Sequence, residues 1–394
     1  MKQVSAIHYK TGKAVKVSFE DGVFLSIEED EQRKELPIIT PGFVDLQVNG
    51  YRGIDYNDAT LTPASIESTV RHLWSQGVTT FYPTIITNHP ENIINSLSVF
   101  QKAAVTNKTV NQAIPGIHLE GPYLSPQDGP RGAHAEQFVK APDWTEFLMW
   151  QEASGGRISI LTVSPEWPES ASFIKKCTNH GVLVSIGHTS ATPENIQNAI
   201  EAGAKMSTHL GNGAHVMLKR HPNYLWEQLA SDELAACMIA DGFHLPDSVI
   251  KVILRMKGKL AILVSDCVSL AGMPEGSYHL HIGGDVVLDK SGRLYMNDNA
   301  DLLAGSAQTQ SWGINHLIRR GLCSLSLAVD LASIHPSTVM NLPQQKGICE
   351  GAPADFLLLH QSEKNELTIT ETYKNGVSVY MNREAYFHEN TVND

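Results

Sequence analysis

Short runs of apolar and β-branched residues recur along the chain at 42–48, 78–84, 115–119, 158–163, 182–186, 205–208, 235–240 and 260–265. The stretches between them, such as 193–202 and 246–256, carry apolar residues at three-to-four spacing and open on a proline or a capping residue, as amphipathic helices do. Strands alternating with helices predict a parallel sheet, and eight such units predict its closure into a barrel. An open doubly wound sheet is the alternative. It would normally carry a glycine-rich phosphate loop after its first strand, and none is present.

The two ends read differently. Val15, Val17 and Phe19, then Val23, Leu25 and Ile27, alternate with polar residues about Asp21-Gly22, which predicts a hairpin. Near the other end, a short apolar run at 356–360 precedes two strands flanking Asn375-Gly376. The expected fold class is α/β: a (β/α)8 TIM-like barrel over 41–343, with a small β-sandwich domain built from residues 1–40 and 344–394.

Composition narrows the function. The chain has 394 residues, of which 42% are hydrophobic, but no apolar run approaches the roughly 18 residues that a spanning helix needs. With 30 basic against 42 acidic residues and a net charge of −12, and with no cluster of Lys or Arg, a nucleic-acid partner is not expected. The N-terminal stretch has no continuous apolar segment of the kind that directs secretion, so neither membrane attachment nor export is expected and the cytoplasm is. Five scattered cysteines without a CxxC pair read as reduced thiols rather than as a disulfide framework or a zinc finger.

In a barrel of this kind, chemistry gathers at the C-terminal ends of the strands. Here those ends deliver Gln47 and Asn49, His118 and Glu120, His188, His209 and Asn212, Asp241 and His244, and Asp266. Glu120, His188 and His209 form a carboxylate-plus-two-imidazole set, the ligand composition of a catalytic divalent site with zinc as the first expectation. A buried polar network that stiffens the rim is the competing reading. Asp266 follows an all-apolar run with only Ser265 between, so it emerges from a buried strand where a carboxylate could shuttle a proton. His134 and His244 could donate to a developing oxyanion or to an anionic substrate group, although either could equally be an ordinary surface histidine.

These stretches together resemble the amidohydrolase superfamily and, within it, the N-acetylglucosamine-6-phosphate deacetylase family. The resemblance rests on PGFVDLQVNG (41–50), GVTTFYPTIIT (77–87), GIHLEGPYL (116–124), SPE (164–166), GHTSA (187–191), THLGN (208–212), ADGFHL (240–245), SDCVSLAGMPEG (265–276), LAGSA (303–307) and GAPADF (351–356). It implies deacetylation of an amino sugar 6-phosphate. Where many members carry His-x-His on the first strand, this chain has Gln47-Val-Asn49, which implies one metal ion per subunit rather than two, held by Glu120, His188 and His209. The ion expected is zinc, with iron(II) or another divalent ion as the alternative. The resemblance further implies Asp266 as general base and then acid, and His134 as the group that polarises the acetamide carbonyl. Gln47 and Asn49 then line the substrate site, and Asn212, Gly213, His244 and Arg220 bind the sugar phosphate. Arg220 matches an arginine donated by a neighbouring subunit, which implies a homodimer.

The chain departs from the family in two places. Gly211, Asn212, Gly213, Ala214 and His215 stand where the family usually has an aromatic residue, Asn, Ala and Met, and Ala304 stands where it usually has Ser. Two other readings compete. One is an amidohydrolase acting on another N-acyl or a cyclic amide substrate, which would normally call for the two-metal site. The other is a catalytically silent barrel, which would be free to lose one of Glu120, His188, His209 or Asp266.

Overall fold

The computed structural model describes residues 1–31, 36–280 and 284–382. Residues 32–35 and 383–394 of the segments expected to form the small β domain lie outside the described residues.

The eight expected runs are eight parallel strands, labelled here in chain order: β1 Phe43–Val48, β2 Val78–Ile86, β3 Ile117–Glu120, β4 Ile158–Val163, β5 Leu183–Ile186, β6 Met206–Ser207, β7 Ala235–Ile239 and β8 Ala261–Val264. Each pairs with its neighbour in sequence order, so the sheet runs β8 to β1 without a crossover out of turn. Just beyond β8 the ends meet. Val48 bridges Cys267 in parallel, Asp266 N donates to Gln47 O at 3.0 Å, and Asn49 N donates to Cys267 O at 2.8 Å. The eight-stranded sheet is thereby nearly closed as a barrel, and the seam lies at the rim where the catalytic candidates emerge.

Helices occupy the gaps, and side chains cap the first turns of several of them. Thr192 and Asn195 form a reciprocal capping box ahead of Pro193–Glu201, and Asn223 accepts from the amides of Leu225 and Trp226 to start Tyr224–Ala230. At the other end of that short helix, Lys257 donates to the carbonyls of Gln228, Ser231 and Leu234, supplying partners that the last turn lacks.

One element was not expected. After β8 the chain makes a four-stranded antiparallel sheet from Gly276–Leu280, Gly284–Leu288, Leu294–Met296 and Asn299–Leu303. Its small core comprises Leu270, Val286, Leu288, Leu294 and Ala307.

The chain divides into two compact units. Among the described residues, one is drawn from Met1–Asp45, Val70–Thr80 and Gln310–Asp394, and the other from Leu46–Thr69 and Phe81–Thr309. The first holds a seven-stranded sheet that interleaves both ends of the chain: Val377–Met381, Leu367–Lys374, Phe356–Gln361, Ile38–Pro41, Lys2–His8, Ala14–Glu20 and Val23–Glu29, in that spatial order. It curls until Val23 bridges Pro353, around a core that includes Phe19, Phe24 and Phe356.

Both expected turns are present, with Asp21 and Gly22 at φ +51° and +83°, and Asn375 and Gly376 at +49° and +69°. The hairpin register differs from the simple alternation. A bulge opposite Ser18 and Phe19 lets Phe24 pair with Phe19 in the core, while Val23 and Leu25 are left exposed.

In the same unit a buried ion pair explains the GAPADF stretch. Asp355 accepts from Lys374 Nζ at 2.7 Å, from Gln344 at 2.9 Å and from the Asn375 amide at 2.7 Å. Removing either charge from such a pair costs about 3–5 kcal/mol.

Candidate metal and catalytic site

All the candidate residues fall in the second unit. Side chains on a strand alternate between faces, so Glu120 and His118 share one face of β3. Glu120 stands at the rim, where Gln47 of β1 donates its side-chain amide to both carboxylate oxygens at 3.0 Å. His118 lies one layer below. It reaches Leu46 O at 3.0 Å and Thr162 Oγ1 at 2.7 Å, and a hydroxyl chain continues through Thr208 to Ser185. This buried polar floor ties together four strands and the residue that follows β6.

Above the floor, three ligand-type atoms converge. Glu120 Oε1 lies 3.1 Å from His209 Nε2 and 3.3 Å from His188 Nε2, and the two imidazole nitrogens are 3.1 Å apart. Two ligand atoms on one tetrahedral ion, at bonds of about 2.0–2.1 Å, stand roughly 3.3 Å apart. The triangle therefore has the size that a small divalent ion requires. His188 Nδ1 lies 2.8 Å from Pro130 O, and a carbonyl can only accept, so Nδ1 carries a proton and Nε2 is the nitrogen that faces Glu120 and would ligate an ion.

Charge supports the same conclusion. Burial alone would raise the Glu120 carboxyl, but hydrogen bonds and charge from His188 and His209 overcome it and hold the group well below the usual carboxylate range. Burial would lower His209, yet Glu120 and Asp266 raise it. Two carboxylates thus draw positive charge to the spot where the nitrogens meet.

His134 is closer to this centre than its place in the sequence suggested. It is buried, and its Nε2 lies 3.3 Å from His188 Nε2. Glu120, His134 and His188 also offer ligand atoms within 4.8 Å of one another, so two overlapping triplets share Glu120 and His188. The set with His209 is the tighter. Burial first, then the neighbouring His188, depress His134 to about 3, so it is a neutral imidazole. Among the described residues its Nδ1 and the Asn49 Oδ1 are buried without a partner, and such atoms are normally satisfied.

Asp266 sits at the barrel seam. Asn49 donates to its Oδ1 at 2.8 Å. Desolvation pushes its carboxyl up to about 6, with Glu120 adding to the rise and His209 and the Asn49 hydrogen bond opposing it. His188, His209 and Asp266 all have left-handed backbones, at φ +49°, +27° and +50°. That conformation costs roughly 1–2 kcal/mol per L-residue and persists only where the surroundings impose it.

The remaining candidates divide. Asn212 folds back so that its amide donates to His209 O at 2.9 Å. Gly213 lies against His188, where an added Cβ would fall 2.7 Å from Nδ1, and one added at Gly132 would fall 3.2 Å from Cε1 of the same ring. The unusual glycine at 213 is therefore what the His188 ring fits against. His244 donates Nδ1–H to Asp241 at 2.7 Å. Burial would raise Asp241, but His244 and the amides of Phe243 and His244 hold it low. Arg220 is not brought to the other candidates; it lies exposed on the 211–223 loop, beside the exposed Val216 and Met217.

The chain is similar to known proteins over most of its length. The amidohydrolase family model matches residues 38–379. The N-acetylglucosamine-6-phosphate deacetylase of Bos taurus is 31% identical over 358 residues, covering 88% of this chain and 85% of its own. The deacetylase of the same name from Bacillus subtilis is 29% identical over 352 residues, covering 88% and 86%. Among solved structures, that of the N-acetylglucosamine-6-phosphate deacetylase of Thermotoga maritima superposes with a TM-score of 0.82 at 26% identity, covering 97% of this chain and 99% of the other.

Proposed function

The chain belongs to the amidohydrolase family, and from that premise we propose that it removes the acetyl group from N-acetylglucosamine 6-phosphate, giving glucosamine 6-phosphate and acetate. The observation that carries this reading is the convergence of Glu120, His188 and His209 beside an Asp266 whose carboxyl titrates near 6. The enzyme is a hydrolase of carbon–nitrogen bonds in linear amides.

Glu120, His188 and His209 would hold one divalent ion per subunit, zinc in our reading, with iron(II) as the alternative. When bound, the ion supplies a Lewis acid that acidifies water and polarises the amide carbonyl. Asp266 takes a proton from the attacking water as its oxygen bonds to the carbonyl carbon. It then delivers that proton to the amine nitrogen as the carbon–nitrogen bond breaks. Asn49 keeps Asp266 Oδ1 in place for both transfers. His134, neutral and buried, donates an N–H to the carbonyl oxygen as negative charge develops there.

Asn212, the Gly213 amide and His244 are the donors we assign to the sugar phosphate. Arg220 would complete them from a neighbouring subunit, in a homodimer. The exposure of Val216 at 96% and Met217 at 89% on the same loop supports a surface that is covered by a second copy. Our reading places the protein in the cytoplasm, where thiols stay reduced, in keeping with cysteines that form no disulfide among the described residues. No helix among the described residues is long and apolar enough to cross a membrane.

The test is acetate release from a panel of acetylated amino sugars with and without the 6-phosphate. Brisk turnover of the phosphorylated sugar is expected. Hydrolysis of some other N-acyl compound, with none of this one, would overturn the substrate.

A further inference from the structure

We propose that Glu166 is a positioning residue for the metal centre, one that acts by clamping the left-handed turn carrying His188. Glu166 ends the SPE stretch just beyond β4, and none of the roles assigned above uses it. Its carboxylate accepts from four donors on three segments: Ser125 Oγ at 3.1 Å, Ser164 Oγ at 2.6 Å, and the Ser190 amide and hydroxyl at 2.9 and 2.8 Å.

Those segments are the ones that leave the rim next to the ligands. Ser125 follows Glu120 by five residues and donates its amide to His188 O at 2.8 Å. Ser190 follows His188 by two. Ser164 donates its amide to Tyr123 O at 2.8 Å, and its hydroxyl also meets Thr189 Oγ1 at 2.8 Å.

His188 therefore has a bonded carbonyl on its own residue and a fixed amide two residues later, while its backbone stays at φ +49°. A left-handed histidine relaxes unless its surroundings over-determine it. Relaxation would swing the imidazole away from Glu120 Oε1 and His209 Nε2. The carboxylate supplies the over-determination, because only an ionised acid accepts four hydrogen bonds without offering a proton of its own.

This inference rests on the metal reading above, and its test separates the two. Ion affinity is measured by competition with a chromophoric chelator, using zinc and cobalt(II), on the wild-type protein and on E166A and E166Q. Melting of the ion-free protein and KM at saturating ion are followed in parallel. Loss of partners behind a ligand typically costs about 10–100-fold in affinity. E166A is expected to lose ion affinity within that range. E166Q, which keeps the shape but not the charge, should lose about tenfold. Both should show altered cobalt(II) absorption, with KM for the sugar phosphate within about twofold of wild type once the ion is saturating.

A residue that merely stabilised the loops would lower the melting temperature and leave ion affinity and the cobalt spectrum at wild-type values; that result overturns the assignment. Should E166A fail to fold, E166Q decides by the same measurements. A wild-type protein that retains no ion overturns the metal reading itself, and this proposal with it.

Discussion

Gln47 donates its side-chain amide to both oxygens of Glu120, at 3.0 Å each. A neutral donor at this position cannot serve as the second-metal ligand that histidine provides elsewhere in the superfamily, since a carboxamide is a poor substitute for imidazole toward zinc. Instead it fixes the rotamer of a carboxylate whose Oε1 faces His188 and His209. In the proposed centre, Gln47 would support a ligand rather than be one.

One ion per subunit is therefore expected after dialysis, by elemental analysis of the purified protein. His188→Ala and His209→Ala should lose both the ion and activity. Two ions retained reproducibly would contradict the mononuclear centre.

Asp266 works as a base only when ionised. With its carboxyl pushed up to about 6, kcat/KM should fall as the pH drops through that value and level off above it. Asp266→Asn should lower kcat by about 10²- to 10⁴-fold while the ion and substrate still bind. A variant with near-normal kcat would remove Asp266 from this role.

The 6-phosphate is expected to govern binding. N-acetylglucosamine 6-phosphate should be cleaved far better than the free sugar. Arg220→Ala should raise KM by about ten- to a hundredfold, the roughly 1.5–3 kcal/mol of a charge-assisted contact, with less effect on kcat. Steady-state kinetics on both sugars checks this, and equal turnover of the two would sink it.

Gly213→Ala tests the packing of the ion site without touching a ligand. At φ +55° the new Cβ is strained on its own backbone and would fall 2.7 Å from His188 Nδ1, the atom that donates to Pro130. We expect a lower melting temperature, by more than about 1 kcal/mol of stability, together with weaker ion retention. Wild-type retention of the ion would mean that the ring has room to shift.

Much of this was legible in the chain. The eight strands lie within two residues of the expected runs at each end, because a buried parallel strand has to be apolar throughout and is bounded sharply. Asking which residue ends each run singles out Glu120, His188, His209 and Asp266, and the structure brings the first three within 3.1–3.3 Å of one another. The four-stranded antiparallel sheet is not legible in the pattern because its strands have three to five residues and few of those are buried, which leaves little hydrophobic pattern to read. The bulge that places Phe24 rather than Leu25 in the core is a matter of register, which alternation alone does not determine. The place of His134 beside His188 is implied by the resemblance but not by pattern or spacing, since His134 lies on a loop between β3 and β4 and only tertiary packing folds it over the rim.

The left-handed backbones of His188, His209 and Asp266 have a consequence for how such a chain can change. The three residues to which we assign the chemistry are also three whose backbone conformation is costly, so on that assignment folding and turnover place opposed demands on the same positions. Glycine at any of them would relieve the local backbone and abolish the function. A lineage selected for heat resistance alone would drift toward such relief, and one kept active has to recover the lost margin elsewhere, in helix caps, cores and buried ion pairs far from the rim.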